Sequence, residues 1–328
     1  MPLFDLPLDE LTTYRPEVAE PEDFDEFWSG TLAQAREYDL ELRYQQVDAG
    51  LPHVQVFDVT FAGFGGHPIK AWYARPAGAT DDLALVVNFI GYSGGRGLPH
   101  EHTLYPAAGY GYLIMDSRGQ GFSLSGGDTP DPGATGPSQP GFLTRGIHDP
   151  AEYYYRRLYT DAARAIEAGR QLPGVDPAKV IAKGGSQGGA IAIAAAALTP
   201  DLYAVQAHVP FLQHFRRAVN VTDTGPYAEI TKYLAVHREK AEQTWRTISY
   251  VDGVNLAKRA SAPALYSVAL RDTVCPPSTV YASYNAYGQQ AQTAVTKDIE
   301  VWEYNNHEGG GGHQEAKNLA WLAALIDR

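Results

Sequence analysis

The chain has 328 residues, 44% of them hydrophobic and 20% charged, and its 26 Lys+Arg against 38 Asp+Glu give a formal net charge of −12. That balance excludes a disordered or fibrous chain. No apolar run approaches the roughly 18 residues of a spanning helix, and the single cysteine, Cys275, cannot form an intramolecular disulfide. An acidic chain without a Lys/Arg cluster repels a polyanion, so neither nucleic acid nor membrane is an expected partner. The N-terminus, MPLFDLPLDE, has no basic leader and no apolar run, which sets the expectation of a cytoplasmic protein.

Residues 1–37 read as an N-terminal extension ending in a helix, with Glu22, Asp23 and Asp25 at a helix start that suits negative charge. The alternating stretches ELRYQQVDAG and HVQVFDVTFAGFGGHPIKAWYARP, broken by Gly-Gly turns, predict antiparallel strands. From residue 83 the pattern changes to short runs apolar on both faces: LALVVNFI, YGYLIMD, AKVIAKG, YAVQAHVP, PALYSVAL and DIEVWEY. Most are separated by longer, helix-compatible segments, the best of them at 151–170, 187–198 and 315–328. This predicts an α/β fold with a mostly parallel central sheet and helices on both faces. A Gly/Pro-rich loop at 121–149 and a helical insertion at 211–258 interrupt the plan, the latter placed to cap one edge of the sheet. There is no internal repeat and no long linker, so residues 1–328 are expected to form a single domain.

The strongest local signal is Gly184-Gly185-Ser186-Gln187-Gly188, which fits G-x-S-x-G. An apolar strand runs into it and an alanine-rich helix leaves it, the context of a sharp turn that projects a serine Oγ as a nucleophile. A serine needs a base, and the base an orienting acid, in the chain order Ser, Asp/Glu, His. Asp272 follows PALYSVALR and His307 follows DIEVWEYNN, each at the end of a later strand. His313 competes with His307 from the same glycine-rich turn, while His208 and His214 could line the pocket or sit in the core. Asp116 precedes the serine, and Asp298 lies on the wrong side of its strand. The loop after LALVVNFI supplies Tyr92, whose N–H would pair with that of Gln187 to hold an oxyanion. Gly94-Gly95 lacks the G-K-[ST] of a phosphate loop, and no H-E-x-x-H or spaced Cys/His cluster points to a metal; His100-Glu101-His102 is too short a set. No cofactor is expected. Cys275 has no strand–turn context and reads as a buried structural thiol.

Taken together, Arg118-Gly119-Gln120, Gly184-x-Ser186-Gln187-Gly188 and His307-Glu308 resemble the three motifs of the acetyl xylan esterase / cephalosporin-C deacetylase family, carbohydrate esterase family 7, built on the α/β-hydrolase fold. SRGQGFS, GFLTRGIHDP, YYYRRLYTDA, VPFLQHFRRAV, CPPSTVYASYNAY and YNNHEGGGGHQ extend the resemblance over nearly the whole chain. It implies a serine esterase releasing acetyl groups from small acetylated sugars and cephalosporin C. Ser186 would be the nucleophile, Asp272 the acid and His307, preferred to His313, the base, with Tyr92 and Gln187 as oxyanion donors. Arg118 and Gln120 would support the nucleophile region. The resemblance also implies a hexamer, a trimer of dimers whose central cavity admits small substrates only. Tyr92, Pro226 and Val274 are the candidates for crowding the acyl group, the last two by the resemblance and their nearness to its motif stretches. The segment 288–298 is longer than the family's usual connection. Two other functions compete: a serine hydrolase on the same fold for longer acyl esters or peptides, and a non-catalytic binding protein.

Overall fold

In the computed structural model, which describes residues 3–132 and 140–326, nine strands form one sheet. They are β1 (Arg43–Val47), β2 (Val54–Ala62), β3 (Pro68–Pro76), β4 (Leu83–Phe89), β5 (Gly111–Met115), β6 (Val175–Gly185), β7 (Ala204–His208), β8 (Ala264–Ala269) and β9 (Lys297–Trp302). Their spatial order is β1-β2-β3-β5-β4-β6-β7-β8-β9. The pairs up to β3–β5 are antiparallel, and every pair from β5–β4 onward is parallel. This is an α/β-hydrolase topology. The chain leaves β4 for β5 on one side and returns to β6 on the other, so the C-terminal ends of β4 and β6 flank a crevice where connections diverge, the usual place for a ligand in an open α/β sheet.

Period-two alternation explains why the central runs are apolar on both faces. Leu85, Val87 and Phe89 of β4 join one buried cluster, and Ala84 and Val86 join the other. The larger cluster takes in helix Tyr154–Gly169 and helix Gln187–Leu198. The latter is buried from Gln187 to Ala196; alanine around most of its circumference lets it lie close on the sheet. Across the sheet, helix Gly311–Ile326 starts earlier than the 315 expected from its apolar spacing, because its first turn is glycine, and it buries only Gln314, Asn318 and Leu322. The expected helix at 151–170 instead starts late, at Tyr154, because residues 150–152 form turns.

The insertion between β7 and β8 holds four short α-helices, Phe215–Val221, Ala228–Val236, Ala241–Ser249 and Gly253–Ala257, and a 3-10 turn at Arg238–Lys240. The N-terminal extension is stitched to it and its neighbours. Trp28 Nε1 donates to Tyr250 O (2.9 Å), and Asp5 accepts from Arg217 (2.7 Å) and from the Ser278 N–H (2.7 Å). The long loop has no regular helix or strand in its described parts; its residues 133–139 lie outside the described residues.

That loop is tied down by a buried charge cluster. Arg118 grips Asp161 of helix Tyr154–Gly169 with two bonds (2.6 and 2.7 Å) and reaches Asp131 in the loop at 3.3 Å. Burial disfavours the Arg118 charge, but Asp161 outweighs it and raises the pKa above the ordinary arginine value. Breaking such a pair from one side leaves an uncompensated buried charge and costs about 3–5 kcal/mol. Arg118→Met is therefore expected to lose about that much unfolding free energy, measured by urea denaturation of the variant and the wild type.

Candidate active site

β6 runs straight into Ser186, which takes φ 56° and ψ −122°, and helix Gln187–Leu198 begins at the next residue. Only a corner with bare flanks allows this. A Cβ on Gly184 would stand 2.2 Å from the Gly188 carbonyl, and one on Gly188 would stand 2.1 Å from Phe89 O. The corner is pinned from outside: the Ser186 N–H donates to His208 O (2.9 Å), and Ser186 O accepts from the Phe211 N–H (2.9 Å). Oγ is thereby pushed up above the C-terminal edge of the sheet.

Two later strands bring partners to it. Three residues after β8, Asp272 is fully buried, its Oδ1 accepting the N–H groups of Val274 (2.8 Å) and Cys275 (2.9 Å). Its Oδ2 lies 2.8 Å from His307 Nδ1, and His307 Nε2 lies 3.0 Å from Ser186 Oγ. A carboxylate only accepts, so Nδ1 carries the imidazole proton and Nε2 is left to receive the serine proton. The loop holding His307 is braced by Glu308, which accepts from Asn305 Nδ2 (2.8 Å) and the Asn306 N–H (3.1 Å). The Asn305 bond, first, holds the Glu308 carboxyl below its usual range. Asn306 Oδ1 in turn accepts from the Thr273 N–H at 3.3 Å, joining the Asp272 turn to the His307 loop.

The loop after β4 is set by two glutamines. Gln120 and Gln187 face each other as an amide pair (3.0 and 3.3 Å). Gln187 Nε2 also reaches Ile90 O (3.3 Å), and Gln120 Oε1 accepts the Ser93 N–H (2.7 Å). Tyr92 is thus gripped on both sides. Gln187 stands at the first position of its helix, where a backbone N–H has no partner within the helix.

Sequence reasoning missed Glu229. It sits in helix Ala228–Val236 and accepts the Tyr92 hydroxyl at 2.5 Å, the Gly141 N–H at 3.0 Å and the Leu143 N–H at 3.0 Å. Burial and this bond push the Tyr92 phenol well up. One carboxylate therefore joins insertion, long loop and β4 loop, and nothing local in the sequence announces such a long-range node. The other two acyl-pocket candidates lie together: a Cβ on Gly225, next to Pro226, would touch Val274 at 3.1 Å, and Thr222 and Thr224 both donate to Thr273 O.

A cavity of about 330 Å³ opens beside Ser186 and His307. Gly185, His208, Glu308, Gln314 and Glu315 line it; Tyr92, Pro226 and Val274 do not. Of the other histidines weighed from the sequence, only His208 lines it. His313 is exposed on the last helix, 6.3 Å from the Trp302 ring. His214 is left-handed at φ 42° and held at about 4 by burial and by Arg217. His100 is exposed and His102 bonds to Arg96 O (2.7 Å). Asp116 is buried against the N–H groups of Arg96, Asp128 and Thr129, and Asp298 is exposed on β9. Cys275 is fully buried; burial and the Asp272 charge push its thiol well up, against the nearby Ser186 hydroxyl.

Residues 1–325 match the acetyl xylan esterase family, AXE1. The chain belongs to that family. Solved relatives include the acetyl xylan esterase from Paenibacillus sp. R4 (36% identity, TM-score 0.88) and acetyl xylan esterase 1 from Thermoanaerobacterium sp. JW/SL YS485 (33%, 0.87). Each alignment covers 97% of this chain and 99% of the other. Acetyl esterase Axe7A of Xylanibacter ruminicola is 26% identical over 296 residues, 88% of this chain, which spans 65% of that curated relative's length. The family resemblance read from the three motifs therefore stands. A puromycin hydrolase, 18% identical with a TM-score of 0.61 over 87% of this chain and 40% of its own, shares the fold alone.

His208 gives a test of this site's electrostatics. It is 7% exposed, neither ring nitrogen has a hydrogen-bond partner among the described residues, and burial, then the Lys183 charge, holds its pKa at about 3. Between that value and the unfolded value of about 6.5 the unfolded chain binds the extra proton, so stability falls as pH falls through this window. His208→Gln, which cannot take that proton, is expected to move the acid-unfolding midpoint to lower pH, read by near-UV circular dichroism.

Proposed function

We propose that the protein is a serine carboxylesterase removing acetyl groups from small acetylated sugars, xylo-oligosaccharides foremost, and from cephalosporin C. The observation that carries this reading is the unbroken chain Ser186–His307–Asp272, at 3.0 and 2.8 Å, in a member of the acetyl xylan esterase family. His307 Nε2 takes the hydroxyl proton as Ser186 Oγ bonds to the acetyl carbonyl carbon, and Asp272 stabilises the imidazolium that results. The N–H groups of Tyr92 and Gln187 hold the oxyanion, the second aided by the positive end of its helix. The imidazolium then protonates the leaving alcohol oxygen as its bond to carbon breaks, leaving acetyl-serine. Water gives a proton to the same Nε2, attacks the acyl carbon, and acetate departs as Ser186 regains its proton.

Selectivity for so short an acyl group falls to Tyr92, Pro226 and Val274. The bonds of Glu229 to Tyr92, and of Thr222 and Thr224 to Thr273 O, support the role because they leave these side chains little room to retreat. By family resemblance the assembly is a hexamer, a trimer of dimers, that admits oligosaccharides rather than polymer, as suits a cytoplasmic enzyme fed by import. Among the described residues no helix is long and apolar enough to cross a membrane.

Steady-state hydrolysis of p-nitrophenyl acetate, butyrate and octanoate tests the reading. Acetate should lead, and Ser186→Ala should lose about 10,000-fold or more in kcat. A preference for octanoate would discard the deacetylase, and turnover independent of Ser186 would discard the serine mechanism. In the same assay Pro226→Ala should raise the butyrate-to-acetate ratio about tenfold, the value of a methylene or two in an acyl pocket. An unchanged ratio removes Pro226 from that pocket.

A further inference from the structure

Cys275 has no part in acetyl transfer, yet the turn that presents Asp272 places its thiol under the Ser186–His307 pair. Donor atoms of Asp272, Cys275 and His307 all lie within 4.8 Å of one another, and no other trio of such side chains does so among the described residues. One carboxylate oxygen, one imidazole nitrogen and one sulfur make a ligand set for a borderline-soft divalent cation. Donors about 2.0–2.3 Å from a tetrahedral ion stand about 3.3–3.8 Å apart, so an ion needs the Asp272–His307 pair to open from 2.8 Å by about 0.5 Å and any separation near the 4.8 Å limit to close by about 1 Å. The backbone can supply these shifts. His307 is followed by Gly309, Gly310 and Gly311 at φ 55°, 83° and 49°, and it opens on the 330 Å³ cavity by which a hydrated ion would arrive.

We propose that Asp272, Cys275 and His307 form an inhibitory site for a thiophilic divalent cation, zinc in the first instance, whose occupation silences the triad. The silencing rests on the catalytic reading above; the binding does not. On capture the Cys275 S–H gives its proton to solvent and the sulfur bonds the ion as thiolate. The His307 proton passes from Nδ1 to Nε2 so that the Nδ1 lone pair meets the ion, and Asp272 Oδ2 exchanges the Nδ1–H for the metal. No electron is transferred, and one proton is released per ion. Nε2, now protonated, can only donate to Ser186 Oγ and cannot take its proton.

Two measurements test this. Zinc titrated into the wild type during p-nitrophenyl acetate hydrolysis should inhibit, with recovery on adding EDTA. Even outer partners of a metal site are worth about 10–100-fold in affinity, so Cys275→Ala, scored against its own metal-free rate, should need at least about tenfold more zinc. Cys275→Ser, which keeps the volume and removes the sulfur, serves where alanine does not fold. The second measurement needs no turnover: cobalt(II) added to Ser186→Ala should give a thiolate-to-metal charge-transfer band that vanishes in Ser186→Ala/Cys275→Ser. Equal zinc sensitivity of the wild type and the Cys275 variants, or no such band, overturns the site. A wild type that hydrolyses no acetyl ester refutes the esterase instead, while the cobalt band still decides for or against the metal.

Discussion

The architecture around the triad depends on one steric constraint, the corner at Ser186. A non-glycine residue at φ 56° and ψ −122° carries strain of order 1–3 kcal/mol, which persists only where the surroundings leave no alternative. Here they leave none. The bare flanks of Gly184 and Gly188 close on each other, and the loops after β4 and β7 press from both sides. Behind the corner the alanine-rich helix is sealed in the larger apolar cluster, so any relaxation of Ser186 would have to unseat that helix. Rigidity at this one residue is what fixes Oγ relative to groups arriving from distant parts of the chain.

Apolar packing sets the layers but not the last ångström; polar contacts do that. Apolar clusters tolerate small slides, whereas a buried hydrogen bond is strong only in a narrow geometry and costly when broken. The Gln120–Gln187 pair sets the β4 loop against the corner, Arg118 sets the long loop against helix Tyr154–Gly169, and Glu229 sets the insertion against both loops. Each clasp joins segments separated by tens to more than a hundred residues. A carboxylate or guanidinium suits the task, since one side chain serves two or three partners at once.

This division also explains what could be read in the sequence. The Ser186 corner, Asp272 and His307 were legible because each rests on a local pattern, a strand end followed by a turn, and the topology orders such ends along one edge. The antiparallel strands were legible from period-two alternation and the Gly-Gly turn at 65–66, and the parallel ones from short runs apolar on both faces. The start of the last helix was misplaced because Gly311 and Gly312 carry no helical signal; tertiary context extends the helix through them. Glu229 was invisible, since a glutamate in the first turn of a short helix is ordinary and its partners lie in remote loops. The orphaned His208 was no clearer: the sequence placed it at a strand end, but its missing hydrogen bonds are a property of assembled neighbours.

The two faces of the sheet differ in kind. On one face the larger cluster seals the helix that follows Ser186. On the other, helix Gly311–Ile326 buries two amides and a single leucine. Leu319, Trp321, Leu325 and Ile326 pack half-buried against the smaller cluster, and polar contacts hold the N-terminal half: Lys183 with Glu315 (2.8 Å), Trp302 with Gln314 (2.8 Å), and Gln206 with Asn318 O (3.1 Å). The Lys183 ammonium outweighs burial and holds the Glu315 carboxyl below its usual range, so this layer keeps its charges. Segments with few buried apolar contacts open at lower free energy than the core. His307 is carried between β9 and this helix on a run of glycines, while the helix that follows Ser186 lies within the larger apolar cluster. Motion at this edge of the sheet is therefore expected at His307 rather than at Ser186. A mobile His307 set against a fixed Ser186 suits the mechanism proposed above, in which the imidazole exchanges its proton in turn with serine, leaving alcohol and water while Oγ holds the acyl group in place.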